Sequence, residues 1–250
     1  MPRNAMLSNV NCRIQGALEL SLPSEEFVSK LLKRKWALRS PTSKVHQILI
    51  SNHCTEQRDV FDSASFVIDQ RPSLGMSSVD VNHYQASFYV VRDDLLHPMV
   101  NGNKARKLDA LLPLLVDNSV TDVVTCGGCQ SAHAAAVGAM RLVDYLSQEH
   151  LFGRNQPLRI IVDAGTGTTA IGLALGVVFL RLPWEVTAVM LADTIEGYRK
   201  KEESLISEFC LTFNFPNPDQ LLRKGRDGIV HWVERLAPRN VGQIWQCVER

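Results

Sequence analysis

From Ala86 onward the chain alternates between short continuous apolar runs and longer segments in which apolar residues recur every three or four positions. Short apolar runs predict buried strands, and the longer periodic segments predict amphipathic helices. Strands are predicted over residues 86–92, 121–126, 158–163 and 185–192, and helices over residues 104–116, 130–146, 170–180 and 196–209. The helix over residues 104–116 is predicted to bury Leu108, Leu111, Leu112 and Leu115. This alternation indicates an α/β fold with a parallel sheet flanked by helices on both faces.

The stretch before Ala86 has a weaker pattern. Residues 23–36 predict one amphipathic helix, with Ser24 as its N-cap and acidic residues in its first turn. Residues 51–83 mix charges, serines and single hydrophobic residues, which predicts a loop with short strands. We find no internal repeat, and we expect residues 23–250 to form one folded unit.

The N-terminal residues 1–22 differ from the rest in their charge. They contain Arg3 and Arg13 and no acidic residue before Glu19. Transit peptides to organelles share this bias towards arginine and against acidic residues. We therefore expect a transit peptide or a disordered leader here. The corresponding location is the mitochondrion, or the cytoplasm if the leader does not direct import.

The composition permits a large core and excludes several classes of protein. The chain has 250 residues, of which 45% are hydrophobic, and a formal net charge of +1. Nucleic-acid binding needs concentrated positive charge, and a membrane span needs about 20 consecutive apolar residues, so neither kind of partner is expected. Six dispersed cysteines fit a reduced intracellular protein better than a disulfide scaffold. The histidines have no partners at metal-ligand spacing, so no metal site is predicted.

The first candidate for chemistry is the octapeptide NGNKARKL, residues 101–108. Lys104 opens a predicted helix, and Arg106 and Lys107 follow at once. The positive end of the helix dipole and two neighbouring cations disfavour the ammonium form of Lys104. A lysine with a free amine can act as a nucleophile towards a carbonyl group. A solvated basic first turn is the alternative interpretation.

The second candidate is a glycine turn, TCGGCQSAHAAA, residues 125–136, between a predicted strand and a predicted helix. Ser131 and His133 begin that helix, where backbone amides and the dipole favour an anion or a ring oxygen. A tight turn with Ser131 as a helix cap is the alternative. Cys126 and Cys129 also form a CxxC in the setting of a thioredoxin-type dithiol, which makes a dithiol oxidoreductase a rival function.

The third candidate is another glycine turn, DAGTGTTAIGL, residues 163–173. Its small residues are Gly165, Thr166, Gly167, Thr168 and Thr169. Such residues let backbone amides converge on a phosphate, and threonine hydroxyls add donors. The turn also matches the loose dinucleotide pattern G-x-G-x-x-A, with Asp193 placed to bind a ribose. A dinucleotide-binding protein is therefore a further rival.

In this order, NGNKARKL, GGCQSAH and AGTGTTAIGL resemble the aminocyclopropane-carboxylate deaminase and D-cysteine desulfhydrase family, and its plant organellar branch most of all. The resemblance covers residues 23–46 and 84–238. It implies the two-domain α/β architecture of the tryptophan synthase β-subunit (fold type II), pyridoxal 5'-phosphate as cofactor, and a homodimer. The implied reaction converts D-cysteine, a small amino-acid substrate, to pyruvate, ammonia and hydrogen sulfide. Aminocyclopropane-carboxylate deaminase-like activity is the alternative.

The resemblance also implies a role for each site residue. Lys104 would bind the cofactor aldehyde through its amine and then carry the substrate α-proton, with Ser131 as the second catalytic residue. Ser131 and His133 would lie beside the cofactor ring and the substrate carboxylate, and Asn103 would also contact the cofactor. Lys107 and the turn from Gly165 to Thr169 would hold the phosphate.

The chain departs from the family in three places. Ala132 stands where family members usually have an asparagine. Residues 134–157 join the two glycine turns by one helix and a short connector, whereas the family has most of a small domain there. The chain ends in VGQIWQCVER, where the family continues with a tyrosine-bearing segment. These departures predict an incomplete small domain and a weakly active or non-catalytic isoform.

Overall fold

The structure is a computed structural model that describes residues 24–39, 42–52, 64–74, 86–100, 102–122, 132–213 and 228–235. Its helices are α1 (Glu25–Leu32), α2 (Gly102–Asp117), α3 (Ala132–Leu146), α4 (Thr168–Phe179) and α5 (Ile195–Thr212). Its strands are β1 (Lys44–Asn52), β2 (Ala64–Asp69), β3 (Ala86–Arg92), β4 (Leu158–Ala164), β5 (Trp184–Met190) and β6 (His231–Glu234). The leader and most of the strand predicted over residues 121–126 lie outside the described residues.

The predicted parallel sheet is present, with the strand order β4-β5-β6, although β6 itself was not predicted. Ile160 pairs with Val186, and Ala188 pairs with Trp232. Right-handed crossovers that step in one direction place both connecting helices on the same face. α4 and α5 therefore cover one side, whereas Ile161 on the other side is 60% exposed. The prediction of cover on both faces is wrong for the described part of the chain.

A second, antiparallel sheet has the order β2-β1-β3 and was not predicted. In its central row Ile48 lies between Ile68 and Phe88. The sequence predicts β3 at its observed bounds but places it in the parallel sheet, and it predicts a loop with short strands over residues 51–83, which contain β2. Local hydrophobic pattern does not report which distant segments will pair, and strand preference depends on those neighbours.

α1 begins where the sequence predicts but ends earlier. The Oγ of Ser24 accepts a hydrogen bond from the backbone N–H of Phe27 at 3.1 Å. The helix ends at Leu32 instead of Trp36, because the chain turns and the indole N–H of Trp36 donates to the Leu32 carbonyl at 2.9 Å. The guanidinium of Arg141 lies 4.3 Å from the centre of the Trp36 ring, which joins this turn to α3.

α4 is the most buried helix, and it packs closely against α3. Residues 170–179 of α4 are all buried. A Cβ added at Gly172 would lie 2.7 Å from the Cα of Ala136, and one at Gly176 would lie 3.1 Å from the Cα of Met140. The contacts advance in the same order along both helices, so α3 and α4 run in the same direction.

α2 packs on the other side of α3, also in the same direction. A Cβ at Gly138 of α3 would overlap the backbone carbonyl of Arg106, and Arg141 further along pairs with Asp109. The buried residues of α2 are Ala105, Arg106, Asp109 and Ala110. The leucines predicted for the buried face are half-buried or exposed, and Leu112 is 41% exposed. Because α2 and α3 approach so closely, their contact has room for small side chains and for paired polar side chains but not for leucines.

Two buried ion pairs fix the rotation of α2. Arg106 is 3% exposed, and its guanidinium contacts both carboxylate oxygens of Asp93, with Nε 2.6 Å from Oδ2. Asp109 is 2% exposed and pairs with Arg141. A buried charge is stable only with its partner in place, so these contacts orient the helix that carries Lys104.

In the described part of the chain no helix is long and apolar enough to span a membrane.

Candidate functional site

The predicted lysine motif lies at the start of α2. The helix begins at Gly102, whose φ of +59° lies in the left-handed region that glycine accepts most easily. Lys104 is exposed and Lys107 is half-buried, and neither amine has a hydrogen-bond or ion-pair partner among the described residues. Arg106 points away into the core, where Asp93 compensates its charge. The motif thus consists of an exposed lysine, a half-buried lysine and a buried arginine that anchors the helix.

The second glycine turn joins β4 to α4. Gly167 is the N-cap of α4 with φ of +82°, and no side chain caps the helix. A Cβ at Gly167 would lie 3.1 Å from both the Trp232 and the Tyr198 rings. Both backbone conformation and space therefore require glycine at this position. The first amides of α4 are left for a ligand or water, as expected of an anion-binding helix end.

The lysine motif and the second turn lie next to each other. The side-chain amide of Asn103 donates to the Oγ1 of Thr169 at 3.4 Å. Because α2 and α4 run in the same direction, both helices present their positive ends here. Two such ends beside two lysine amines make this corner favourable for an anionic group.

Residues 125–131 of the first glycine turn lie outside the described residues, and they include Cys126, Cys129 and Ser131. His133 is half-buried at the start of α3. Its Nε2 lies 3.8 Å from the carboxylate of Glu208 and 3.5 Å from the hydroxyl of Thr212. These are long contacts with the end of α5, and the role predicted for His133 beside a cofactor stays a prediction.

A buried support for the second turn was not predicted from the sequence. Tyr198 is fully buried, and its hydroxyl contacts the carbonyl oxygens of Ala164 and Gly165, the latter at 2.7 Å. Its ring stacks on Trp232 with centroids 4.6 Å apart. The sequence gives only a weak indication of this support: Tyr198 and Glu202 are four residues apart and so share one face of the predicted helix.

Glu202 holds this support together from within the core. One carboxylate oxygen accepts the backbone N–H of Ile229 at 2.6 Å and that of Val230 at 3.3 Å, and the other accepts the indole N–H of Trp232 at 2.8 Å. Glu202 is 2% exposed, so its carboxyl belongs to the core and not to the solvated face of α5. Burial raises the pKa of the Glu202 carboxyl, and the three hydrogen bonds oppose that rise.

Replacement of Glu202 by glutamine is expected to lower the free energy of unfolding by about 1–3 kcal/mol, because an amide N–H₂ would face a buried donor. The pKa of Glu202 is higher in the folded chain than its value of 4.5 in the unfolded chain. The stability that Glu202 contributes is therefore fully present below pH 4.5, and it is lost as the pH rises through the pKa of the folded state. The cost of E202Q should therefore shrink from pH ~4 to pH ~7. Urea unfolding checks it, with the exposed neighbour changed in E203Q as control; an equal cost for both variants would contradict the argument.

Cys210 belongs to the core and not to a redox site. It is 1% exposed, and burial raises the pKa of its thiol to about 11. Thiolate is the reactive form, so the Cys210 thiol should resist alkylation at pH ~8 in the folded protein and react after unfolding. Peptide mapping after iodoacetamide treatment measures this; labelling of Cys210 as fast as a small thiol would contradict its burial.

Other groups do not form a second centre in the described residues. The carboxylate of Asp193, predicted to bind a ribose, already accepts from the Thr194 backbone N–H and from Lys201, both at 2.8 Å. The hydrogen bond from Lys201 is the main reason why the pKa of Asp193 lies below its usual value. No described cluster of three His, Cys, Asp or Glu side chains is placed to hold a metal ion.

The structure shows an α/β protein in which an exposed lysine and an uncapped helix N-terminus lie close together, and comparison with known proteins gives the family. A protein of Oryza sativa subsp. japonica named "Putative D-cysteine desulfhydrase 2, mitochondrial" is 33% identical over 320 residues, covering 84% of this chain and 77% of that protein. A Thermotoga maritima protein named "Putative 1-aminocyclopropane-1-carboxylate deaminase" is 49% identical over 53 residues, which is 21% of this chain and 17% of that protein. The chain belongs to the D-cysteine desulfhydrase and aminocyclopropane-carboxylate deaminase family. No family model and no solved structure matches it.

The alignment with the rice protein also reveals a difference in length. Since 84% of 250 residues is 210, only 210 residues of this chain are distributed over the 320 aligned positions. About 110 positions of the aligned stretch therefore have no counterpart in this chain. The chain is shorter than its relative within the matched region.

Proposed function

We propose that the chain is a pyridoxal-phosphate-dependent carbon–sulfur lyase of the D-cysteine desulfhydrase type. The contact between Asn103 and Thr169 carries the proposal, because it brings an exposed lysine and an uncapped helix end to one place. Family membership supplies the reaction class, and the names of both relatives describe reactions on small amino acids. The two-domain fold type II architecture is proposed on the same basis, since the described parallel sheet with helices is compatible with it.

Lys104 is proposed as the residue that binds the cofactor aldehyde and moves the substrate α-proton at its Nζ. Its helix is anchored on the opposite side by the buried Arg106 and Asp109 pairs, so the amine points to open space from a fixed base. When bound, pyridoxal phosphate supplies a ring that takes up the electrons released with that proton. Ser131 is proposed as the second catalytic residue, and His133 as a neighbour of the ring.

The turn from Gly165 to Thr169 is proposed to hold the cofactor phosphate. Gly165 and Thr166 are exposed, and the hydroxyls of Thr166 and Thr168 lie 3.3 Å apart, so donors gather on one side of the turn. Lys107 would add a positive charge, and Asn103 would link the lysine helix to the phosphate site. A phosphate in this position gains from the positive end of α4.

We propose that turnover by this chain is slow compared with longer relatives. Three residues on one face of the antiparallel sheet are strongly exposed, with Phe66 at 63%, Ile68 at 58% and Phe88 at 48%. Contiguous exposed apolar surface of this kind marks a missing cover or a partner. We propose that the segment of the rice protein that has no counterpart in this chain would cover this face, and that the small domain is incomplete without it. A displacement of the site by about 1 Å can cost roughly 100-fold in rate.

The mitochondrion is the proposed location, supported by the arginine-biased leader and by the name of the rice relative. The proposed assembly is a homodimer, and the proposed partner is a small amino-acid substrate.

The test combines cofactor mapping with product assays. We expect borohydride reduction in the presence of pyridoxal phosphate to place a pyridoxyl group on Lys104, detected by peptide mass spectrometry. We expect slow sulfide and pyruvate release from D-cysteine. Aminocyclopropane-carboxylate is assayed in parallel by ammonia release, because the short match to the Thermotoga maritima protein favours it as the second substrate.

Each result decides between these functions. Labelling of Lys104 with sulfide release supports the desulfhydrase, and ammonia from the cyclopropane substrate alone supports the deaminase. Labelling without any product supports a non-catalytic cofactor-binding isoform. A folded chain in which Lys104 stays unlabelled would refute the cofactor site.

A further inference from the structure

We infer that Tyr198 positions the phosphate turn by fixing the direction of its backbone amides, a role that rests on the proposed function. Tyr198 is fully buried and presents no group on the exposed side of the turn. It lies beneath the turn, where its hydroxyl is within hydrogen-bond distance of the carbonyl oxygens of Ala164 and Gly165. These two carbonyls belong to the peptide groups that enter the turn from β4.

The planar peptide bond connects the buried side of the turn with its exposed side. In a trans peptide the C=O of one residue and the N–H of the next point in opposite directions. Carbonyls of Ala164 and Gly165 that point inward to Tyr198 therefore direct the N–H groups of Gly165 and Thr166 outward. Both residues are exposed, and neither N–H has a partner among the described residues. Tyr198 thus aims two donors at the position proposed for the phosphate.

The hydroxyl of Tyr198 joins the turn to the neighbouring strand. It accepts a hydrogen bond from the backbone N–H of Ala192 at 3.2 Å, just beyond β5. The Leu191 N–H also donates to the Ala164 carbonyl, at 3.1 Å. A hydroxyl has one proton to donate, so the two turn carbonyls share it. This arrangement couples the end of β4 to the end of β5 through a single buried oxygen.

The position of the hydroxyl is itself fixed by the surrounding core. The Tyr198 ring is stacked on the indole of Trp232, and Gly167 of the turn lies against both rings. The carboxylate of Glu202 accepts a hydrogen bond from the indole N–H of Trp232. Lys201 lies 5.2 Å from the ring centroid and pairs with Asp193. Through Trp232, the short strand β6 therefore packs beneath the turn, although it contributes no residue to the site.

The experiment compares Tyr198→Phe with Tyr145→Phe, a matched control that also loses a hydroxyl contact to a backbone carbonyl, that of Ser43 at 3.4 Å. Equilibrium dialysis measures the binding of pyridoxal phosphate and of pyridoxal, which lacks the phosphate. Y198F should bind pyridoxal phosphate about 10-fold more weakly, as expected for the loss of about 1.4 kcal/mol of phosphate interaction. Its affinity for pyridoxal should be unchanged, and Y145F should bind both compounds as the unaltered chain does.

A second measurement keeps the role testable without any cofactor. Hydrogen exchange of the peptide that covers residues 164–170 should be faster in Y198F than in Y145F, with equal exchange in β1 and α1. An equal loss of affinity for both compounds, or unchanged exchange of the turn, would overturn the positioning role. If the unaltered chain binds no pyridoxal phosphate, the proposed function fails, and the exchange data alone then decide whether Tyr198 orders the turn.

Discussion

Replacement of Lys104 by alanine is expected to abolish covalent capture of pyridoxal phosphate and all sulfide release from D-cysteine. Lys104 is exposed and directly follows Asn103, which contacts Thr169 at the turn of α4, and the other lysine of the motif, Lys107, is half-buried one turn on. Without a nucleophilic amine the cofactor aldehyde cannot be attached, and without a base at that place the α-proton stays on the substrate. Borohydride trapping and a sulfide assay measure the two losses separately.

Lys107→Ala is the matched control for this prediction. It removes the same type of side chain from the same helix, so general effects on charge and folding are shared. We expect Lys104 to be labelled in K107A, but at a cofactor concentration about 10-fold higher, because a cation near the phosphate is lost. Capture of the cofactor by K104A, or an identical loss in both variants, would show that Lys104 has no special role.

Replacement of Asp93 by asparagine is expected to lower the free energy of unfolding by about 3 kcal/mol. Arg106 is buried, and Asp93 is its carboxylate partner through two hydrogen bonds. Removal of one member of a buried pair leaves the other charge without compensation, which costs far more than the loss of an exposed pair. Urea denaturation followed by circular dichroism measures the effect.

The neighbouring Asp94→Asn is the control for D93N. Asp94 pairs with Arg92 at 2.7 Å, but its side chain is 54% exposed, so solvent screens the pair and little stability should be lost. Because Arg106 anchors α2, D93N should also weaken cofactor capture at Lys104, whereas D94N should not. Equal stability of D93N and D94N would contradict the anchoring role of the buried pair.

The order of the elements from β4 to α5 was predictable from sequence to within a few residues, because each has a local signal. The strands are short apolar runs, the helices have caps or small-residue turns before them, and the second glycine turn stands at the end of β4. β1 and β6 were not predicted, and the region of β2 was predicted as a loop with short strands whose bounds were not given. Each of these three strands obtains its structure from a partner strand elsewhere in the chain.

The family and the residues of the proposed site came from three motifs in the amino-acid sequence, and the comparison with the rice protein confirms the family. Motifs are local, so they identify Lys104 and the turn from Gly165 to Thr169 without any knowledge of their distance. Only the tertiary structure shows that these two motifs meet through Asn103 and Thr169. It also shows that Arg106 is buried against Asp93 and does not lie beside Lys104 as a second cation of the site. The buried face of α2 is formed by small and paired polar residues and not by the predicted leucines.

The support beneath the turn also required the tertiary structure. Tyr198, Glu202 and Trp232 come from a helix and a strand that show no motif, and their interaction depends on burial and on hydrogen bonds between distant residues. The sequence by itself determined the family and the candidate residues for the chemistry, because motifs depend on residue type and on local backbone freedom. Only the tertiary structure decided how they are held and aimed, because packing and the pairing of buried polar groups depend on contacts that no local pattern encodes.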